Sequence, residues 1–175
     1  MRIVVNDTSC LVDLRKAGLL EATLLLPFSF QIALPLIRSE LIDFTRAEIE
    51  DLIARGLQVV DLPSEAVGRA MTFRSAFPAL SFNDCMSMAL AEIQVGSILL
   101  TGDQSLRNRA AAIGIEVHGV LWVSDQLQGS DRVTFAALLE GLLKLKSDPL
   151  VFVPRDELAD RIARLCALLG LPGPE

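Results

Sequence analysis

Four carboxylates stand out in this chain by position: Asp7, Glu40, Asp84 and Asp103. An apolar run, Ile3-Val4-Val5, is followed at once by the polar group Asn6-Asp7-Thr8-Ser9. Asp103 follows a second such run, Ile98 to Leu100. If the four converge, they form an all-oxygen donor set of the kind that hard divalent cations such as Mg2+ and Mn2+ prefer. Close carboxylates repel one another, which raises some of their pKa values until a cation relieves the repulsion. One or two such ions would hold a phosphodiester, generate hydroxide from water and stabilise the leaving oxygen of an in-line displacement. Each acid also has a plain structural explanation. Ser81-x-x-Asp84 is a capping-box pattern, Asp103 is suited to cap the helix after it, and Glu40 suits a solvated helix face. Taken singly, those explanations suffice. Together they weaken, because a right-handed parallel sheet brings the ends of strands one and four to the same edge.

The elements that must position these acids alternate between strand and helix. Ile3-Val-Val reads as a strand buried on both faces, with Thr8 and Ser9 as N-cap residues for a helix through Leu11, Leu14, Leu19 and Leu20, interrupted at Gly18. A further helical turn covers Glu21 to Leu26. Phe30 to Leu34 reads as strand two, and Pro35 opens a helix that carries Leu36, Ile37, Glu40 and Leu41. A helix over Arg46 to Arg55 ends at Gly56, Leu57 to Leu62 forms strand three, and Pro63-Ser64 opens the next helix. The helix from Leu80 to Ala91 is small and apolar from Cys85 onward and should be largely buried. Ile98 to Leu100 is strand four, a helix runs on to Gly114, and Ile115 to Val120 is strand five. Beyond lie Trp122 to Leu127, a helix from Thr134 to Lys146, a short Leu150 to Val153 strand and a helix from Asp156 to Leu169. This pattern predicts a parallel α/β sheet covered by helices on both faces. A single domain over 1–175 is expected, with a core of about 1–122 and a mainly helical appendage of about 123–170.

The segments Val5-Asn-Asp-Thr-Ser9, Arg38-Ser-Glu-Leu41, Leu80-Ser-Phe-Asn-Asp-Cys85 and Leu100-Thr-Gly-Asp103 resemble, in order, the motifs of the PIN domains, metal-dependent nucleases that include the VapC-like toxins of toxin-antitoxin pairs. Each motif is weak alone, and the ordered set of four is more specific. The resemblance covers the chain from strand one to about Val120. It implies a PIN-like three-layer fold, a catalytic and metal-binding cluster of Asp7, Glu40, Asp84 and Asp103, and a supporting role for Thr101. It further implies Mg2+ or Mn2+ as cofactor, RNA as substrate and an antitoxin protein as partner.

Composition narrows the alternatives. At 175 residues with 51% hydrophobic content, the chain can fill one well-packed core. Mean hydropathy is high at +0.46. Even so, the longest apolar run, Leu24 to Phe28, falls far short of the ~20 residues of a spanning helix. The start is too short in apolar residues for a signal-peptide core, so a cytoplasmic location is expected. Cys10, Cys85 and Cys166 are widely spaced and suggest neither a disulfide framework nor a zinc site. The net charge of -6 argues against a broad basic nucleic-acid face. The tail Leu171 to Glu175 is expected to be disordered.

RNA binding would then rest on local cations: Arg15, Lys16, Arg38, Arg107 and Arg109. With no Tyr, one Trp and few Phe, a platform for stacked bases is not expected. His118 is the only histidine, which excludes a two-histidine acid-base mechanism; its place in strand five suggests a structural role. The leucine-rich helix from Thr134 to Lys146 is compatible with a homodimer or with core packing. A receiver-like signalling domain is the rival of another class, but it would carry adjacent acids after strand one and a lysine at the end of strand five. A PIN fold that binds RNA or protein without cleaving is the third reading.

Overall fold

The computed structural model describes residues 1–172. Strands β1 (Arg2–Asn6), β2 (Phe28–Ala33), β3 (Gln58–Val60), β4 (Ile98–Leu100) and β5 (Glu116–His118) form one sheet in the order β3-β2-β1-β4-β5, parallel at every junction. β1 is central because Val4 and Val5 have no exposed surface and accept neighbours on both sides. The chain winds outward from β1 through β2 to β3, then returns to β1's other side for β4 and β5. That reversal leaves a crevice outside the carboxyl ends of β1 and β4, where ligands of open α/β sheets bind. A receiver-like domain has the order 2-1-3-4-5, so the topology argues against that rival.

Helices cover both faces: α1 (Thr8–Ala17), α2 (Leu20–Leu24), α3 (Leu34–Ser39), α4 (Arg46–Ala54), α5 (Ser64–Ala76), α6 (Phe82–Ile93), α7 (Gln104–Ala112), α8 (Val120–Gln128), α9 (Phe135–Ser147) and α10 (Arg155–Leu168). α6 packs against β1, β2 and β4, and its residues from Cys85 to Ala91 are all buried, as their small and apolar character demands. α1 ends at Gly18, whose left-handed φ of 71° closes the helix with its N–H directed to Arg15 O.

The C-terminal helices join this core closely. α9 lies against α1 and α10. At Gly141 a side chain would meet Leu19 Cδ1 at 2.8 Å and Ala17 O at 3.0 Å. Arg161 of α10 holds Asp125 of α8 through two bonds, of 3.0 Å from Nε and 2.7 Å from Nη2.

Several boundaries differ from expectation. Leu34 and Val120 start helices rather than ending strands, because parallel pairing stops at Ala33 and His118. Leu150 to Val153 is irregular and not a strand: the Leu150 and Val151 N–H groups turn back to the Asp148 side chain and carbonyl instead of joining the sheet. In the tail expected to be disordered, Leu171 N still bonds to Cys166 O, while residues 173–175 lie outside the described residues. The three cysteines are free and buried. Among the described residues no helix is long and apolar enough to cross a membrane.

Candidate active site

Asp7 sits one residue past β1, with its N–H continuing the ladder to Leu100 O at 2.9 Å. It occupies the N-cap position of α1, displacing the expected Thr8 and Ser9 into the helix, yet its side chain makes no capping bond. The carboxylate instead accepts two hydroxyls on Oδ2, from Ser9 Oγ at 2.7 Å and Thr101 Oγ1 at 2.9 Å. Both hydroxyls are themselves fixed. Ser9 Oγ accepts the Gly102 N–H at 2.9 Å, and Thr101 Oγ1 accepts the Asp103 N–H at 3.0 Å. The turn after β4 is thereby tied to the turn after β1.

Glu40 arrives from the other side. The sequence pattern placed it inside a helix; it is the C-cap of α3, at φ -127° and ψ -30°, because the helix gives out at Ser39. Its carboxylate accepts Thr8 Oγ1 on one oxygen and Asn83 Nδ2, at 2.5 Å, on the other. Glu40 therefore links the first turns of α1 and α6. Asp84 completes a capping box with Ser81, through bonds of 2.7 and 3.0 Å. Asp103 caps α7 by accepting the Leu106 N–H at 2.6 Å. The plain structural roles of Asp84 and Asp103 are thus real, and each leaves carboxylate capacity for further partners.

Electrostatics couples the four acids. Burial raises the pKa of Asp7 from 3.8 to about 6; the Ser9 and Thr101 hydroxyls oppose that rise, and the charges of Asp84 and Glu40 add to it. Burial also raises the pKa of Asp84, with Ser81 opposing and Asp103 and Glu40 adding. Among the described residues no lysine or arginine forms a salt bridge with any of the four. Uncompensated charge of this kind costs stability, as expected of a site kept for a ligand. Among the described residues no group of three or more Asp, Glu, His or Cys is clustered tightly enough to make a ready-built chelate. The donor chemistry nevertheless fits Mg2+, which takes one or two carboxylates directly and keeps several waters.

The expected substrate cations are distributed unevenly. Arg15 is paired with Glu48 at 2.6 Å and lies over the Phe44 ring, and Lys16 is paired with Asp148 at 2.8 Å. Arg109 lies over the Phe77 ring, and Arg38 is exposed at the end of α3. Arg107 donates to Thr101 O at 2.9 Å and faces a cleft of about 410 Å³. His118 stacks on Trp122 and bonds Glu116, in keeping with a structural role.

The sequence suggests only a capping role for Thr8 and Ser9 and none for Asn83, although all three lie in the motif segments beside the acids. Nor does it single out Asp13, nearly buried, whose pKa burial raises to about 6, with Lys16 opposing and Asp148 adding. Asp13 faces the 410 Å³ cleft from α1, one turn beyond Ser9. Its helical spacing with Leu14 and Ala17 gave no sign that this acid would face inward.

A family model described as PIN domain matches residues 3–165, from β1 into α10, and the chain belongs to that family. PIN domains are in general metal-dependent nucleases, and the nuclease-type fold follows from the match. No curated protein and no solved structure matches this chain.

Proposed function

We propose that this PIN domain is a divalent-metal-dependent endoribonuclease that cleaves RNA phosphodiester bonds, and that it is a VapC-like toxin controlled by a cognate antitoxin. The observation that carries the catalytic reading is Asp7. A carboxylate only 3% exposed, without a cationic partner, stands in the crevice between β1 and β4, where three more acids lie close enough to couple with it or with one another. A structural acid would be paired; this one is held ready by two hydroxyls.

Asp7, Glu40, Asp84 and Asp103 would hold Mg2+ or Mn2+. When bound, the cation supplies Lewis acidity toward a phosphoryl oxygen and acidifies a water. The chain's own residues do the rest. Ser9 and Thr101 hold Asp7 in one rotamer and favour its ionised form. Thr8 and Asn83 hold Glu40 toward the crevice. Arg107, with the exposed Arg38 and Arg109, would supply positive charge for the RNA backbone. The protein would act in the cytoplasm, and a homodimer is compatible with its apolar surface residues Leu143 and Leu168.

A non-catalytic binding module is the second reading, favoured by the capping bonds of Asp84 and Asp103. Expression in a bacterial host separates the two. The toxin reading expects growth arrest that Asp7→Asn abolishes and that a co-expressed antitoxin, encoded beside the gene, relieves. Arrest that Asp7→Asn leaves intact would contradict catalysis as its cause. No arrest, with RNA cleavage intact in vitro, would remove the toxin role and leave a housekeeping ribonuclease.

A further inference from the structure

We propose that Phe152 forms, with the cleft beside it, a subsite that stacks one unpaired nucleobase next to the scissile phosphate; this rests on the nuclease reading above. Sequence composition argued against any stacking platform, but one well-placed ring suffices for one base. Phe152 is 81% exposed, more than any other Phe or the Trp whose exposure is described. Its neighbour Leu150 is 72% exposed.

Single exposed apolar side chains are common and need no function. Placement distinguishes this one. Phe152 lines the 410 Å³ cleft that contains Arg107 and His118, and equally a second cavity of about 250 Å³. That second cavity is bounded by Thr8, Ser9, Glu40 and Gly102, the residues that hold the acids or carry one of them. The ring therefore stands between the cavity that Glu40 lines and the wider cleft that Arg107 lines.

Nor is its exposure the result of a slack loop. Val151, between the two exposed residues, is 1% exposed and anchors the segment in the core. Asp148 accepts the Leu150 N–H at 2.8 Å and is itself paired with Lys16 at 2.8 Å. Arg155 reaches back to Lys146 O at 3.0 Å and Val151 O at 3.4 Å. A pinned loop that holds a phenyl ring in water is preorganised for a flat apolar partner, with little ordering left to be done on binding.

The chemistry of the surroundings selects a nucleobase over a protein segment. Leu150 and Phe152 are the large exposed apolar side chains at these cavities, with Asp13 and Arg107 also in the cleft lining, whereas a docked amphipathic helix needs a run of exposed apolar contacts along a groove. Gln104 and His118 in the cleft wall, whose Nε2 atoms already bond Asn108 and Glu116, keep Oε1 and Nδ1 for base edges. Among the described residues Arg107 forms no salt bridge, so its charge is free for a phosphate.

The test uses the full chain in Mg2+, with a short fluorescent single-stranded RNA made uncleavable by methylenephosphonate linkages, in which carbon replaces the leaving oxygen, and with its cleavable counterpart. Phe152→Ala should weaken binding of the uncleavable strand about tenfold, in the range measured for lost base stacking. It should raise KM for the cleavable strand by a similar factor and leave kcat near wild type. Phe152→Trp should restore both. An abasic position at the stacked nucleotide should abolish the difference between wild type and Phe152→Ala. Wild-type affinity and KM in Phe152→Ala would overturn the subsite while leaving the nuclease reading intact. Phe152-dependent binding without cleavage by the wild type would keep the subsite and remove the nuclease. A change of oligomeric state in Phe152→Ala with RNA affinity unchanged, or no RNA binding by the wild type, would overturn the proposal.

Discussion

Thr101 Oγ1 lies 2.9 Å from Asp7 Oδ2 and 3.0 Å from the Asp103 backbone nitrogen, so one fully buried hydroxyl joins the acid after β1 to the acid that opens α7. Thr101→Val keeps the shape and removes the hydroxyl. It leaves the Asp103 N–H without that acceptor and deprives Asp7 of one of its two restraints. A stability loss of about 1–3 kcal/mol is expected in urea unfolding. Cleavage should fall on the order of tenfold to a hundredfold through misplacement of Asp7. Thr101→Ser should recover most of both. Full activity in Thr101→Val would show that the tie does not serve the site.

In the metal-free protein Asp7 should contribute a loss of stability as pH rises. Folding moves the pKa of Asp7 from 3.8 to about 6, so the native state binds its proton more tightly than the unfolded chain. The protonated form is favoured below the folded value, and the stability it confers is lost as pH rises from about 4 to about 6, with no further loss from this group above that. For Asp7 the change amounts to about 3 kcal/mol. Asp13, also raised to about 6, shifts stability in the same direction. Unfolding in chelator from about pH 4 to about pH 8 measures this. Asp7→Asn should flatten the profile and be the more stable protein at the alkaline end. Parallel profiles for wild type and Asp7→Asn would contradict the buried-charge account.

Millimolar Mg2+ or Mn2+ should raise the melting temperature of the wild type, because a ligand that binds only the folded state stabilises it by mass action. Asp7→Asn should lose most of that shift. Calorimetric scans with metal and with chelator decide the matter, and equal shifts in both proteins would remove Asp7 from the cation site.

Gly141 reports on how the C-terminal helices dock. Gly141→Ala would drive a methyl group toward Leu19 and the Ala17 carbonyl, and a loss of about 1–3 kcal/mol is expected from the overpacking. At Gly129 an added Cβ meets only carbonyls at 3.6 and 3.8 Å, so Gly129→Ala should stay within about 0.5 kcal/mol of wild type. Comparable Tm values for the two variants would mean that α9 is not held tightly against α1.

The strand ends that carry Asp7 and Asp103 were legible because apolar runs that break into polar residues mark where a buried parallel strand must stop. Asp84 and Asp103 were legible as caps for the same local reason, and both do cap. What was not legible depends on partners distant in sequence. Asp7 displaced Thr8 and Ser9 from the cap because Thr101 and Gly102, over 90 residues away, engage its carboxylate and the Ser9 hydroxyl. Glu40 left its helix for Thr8 and Asn83. The Leu150 to Val153 segment has the composition of a strand, but its first N–H groups turn back to Asp148. Phe152 gained its position only through the docking of that segment beside α1.

The most direct test of the central claim is RNA cleavage by Asp84→Asn. This substitution separates the two roles of Asp84, since asparagine can still accept the Ser81 N–H and keep the capping box, with a stability cost below about 1 kcal/mol. It cannot supply the charge that a divalent cation requires. Wild type should cut single-stranded RNA in Mg2+ or Mn2+ and not in chelator, and Asp84→Asn should be slower by orders of magnitude at a nearly unchanged melting temperature. Equal cleavage by the two proteins, or cleavage that persists in chelator, would contradict the assignment of these four acids to a metal-dependent nuclease site.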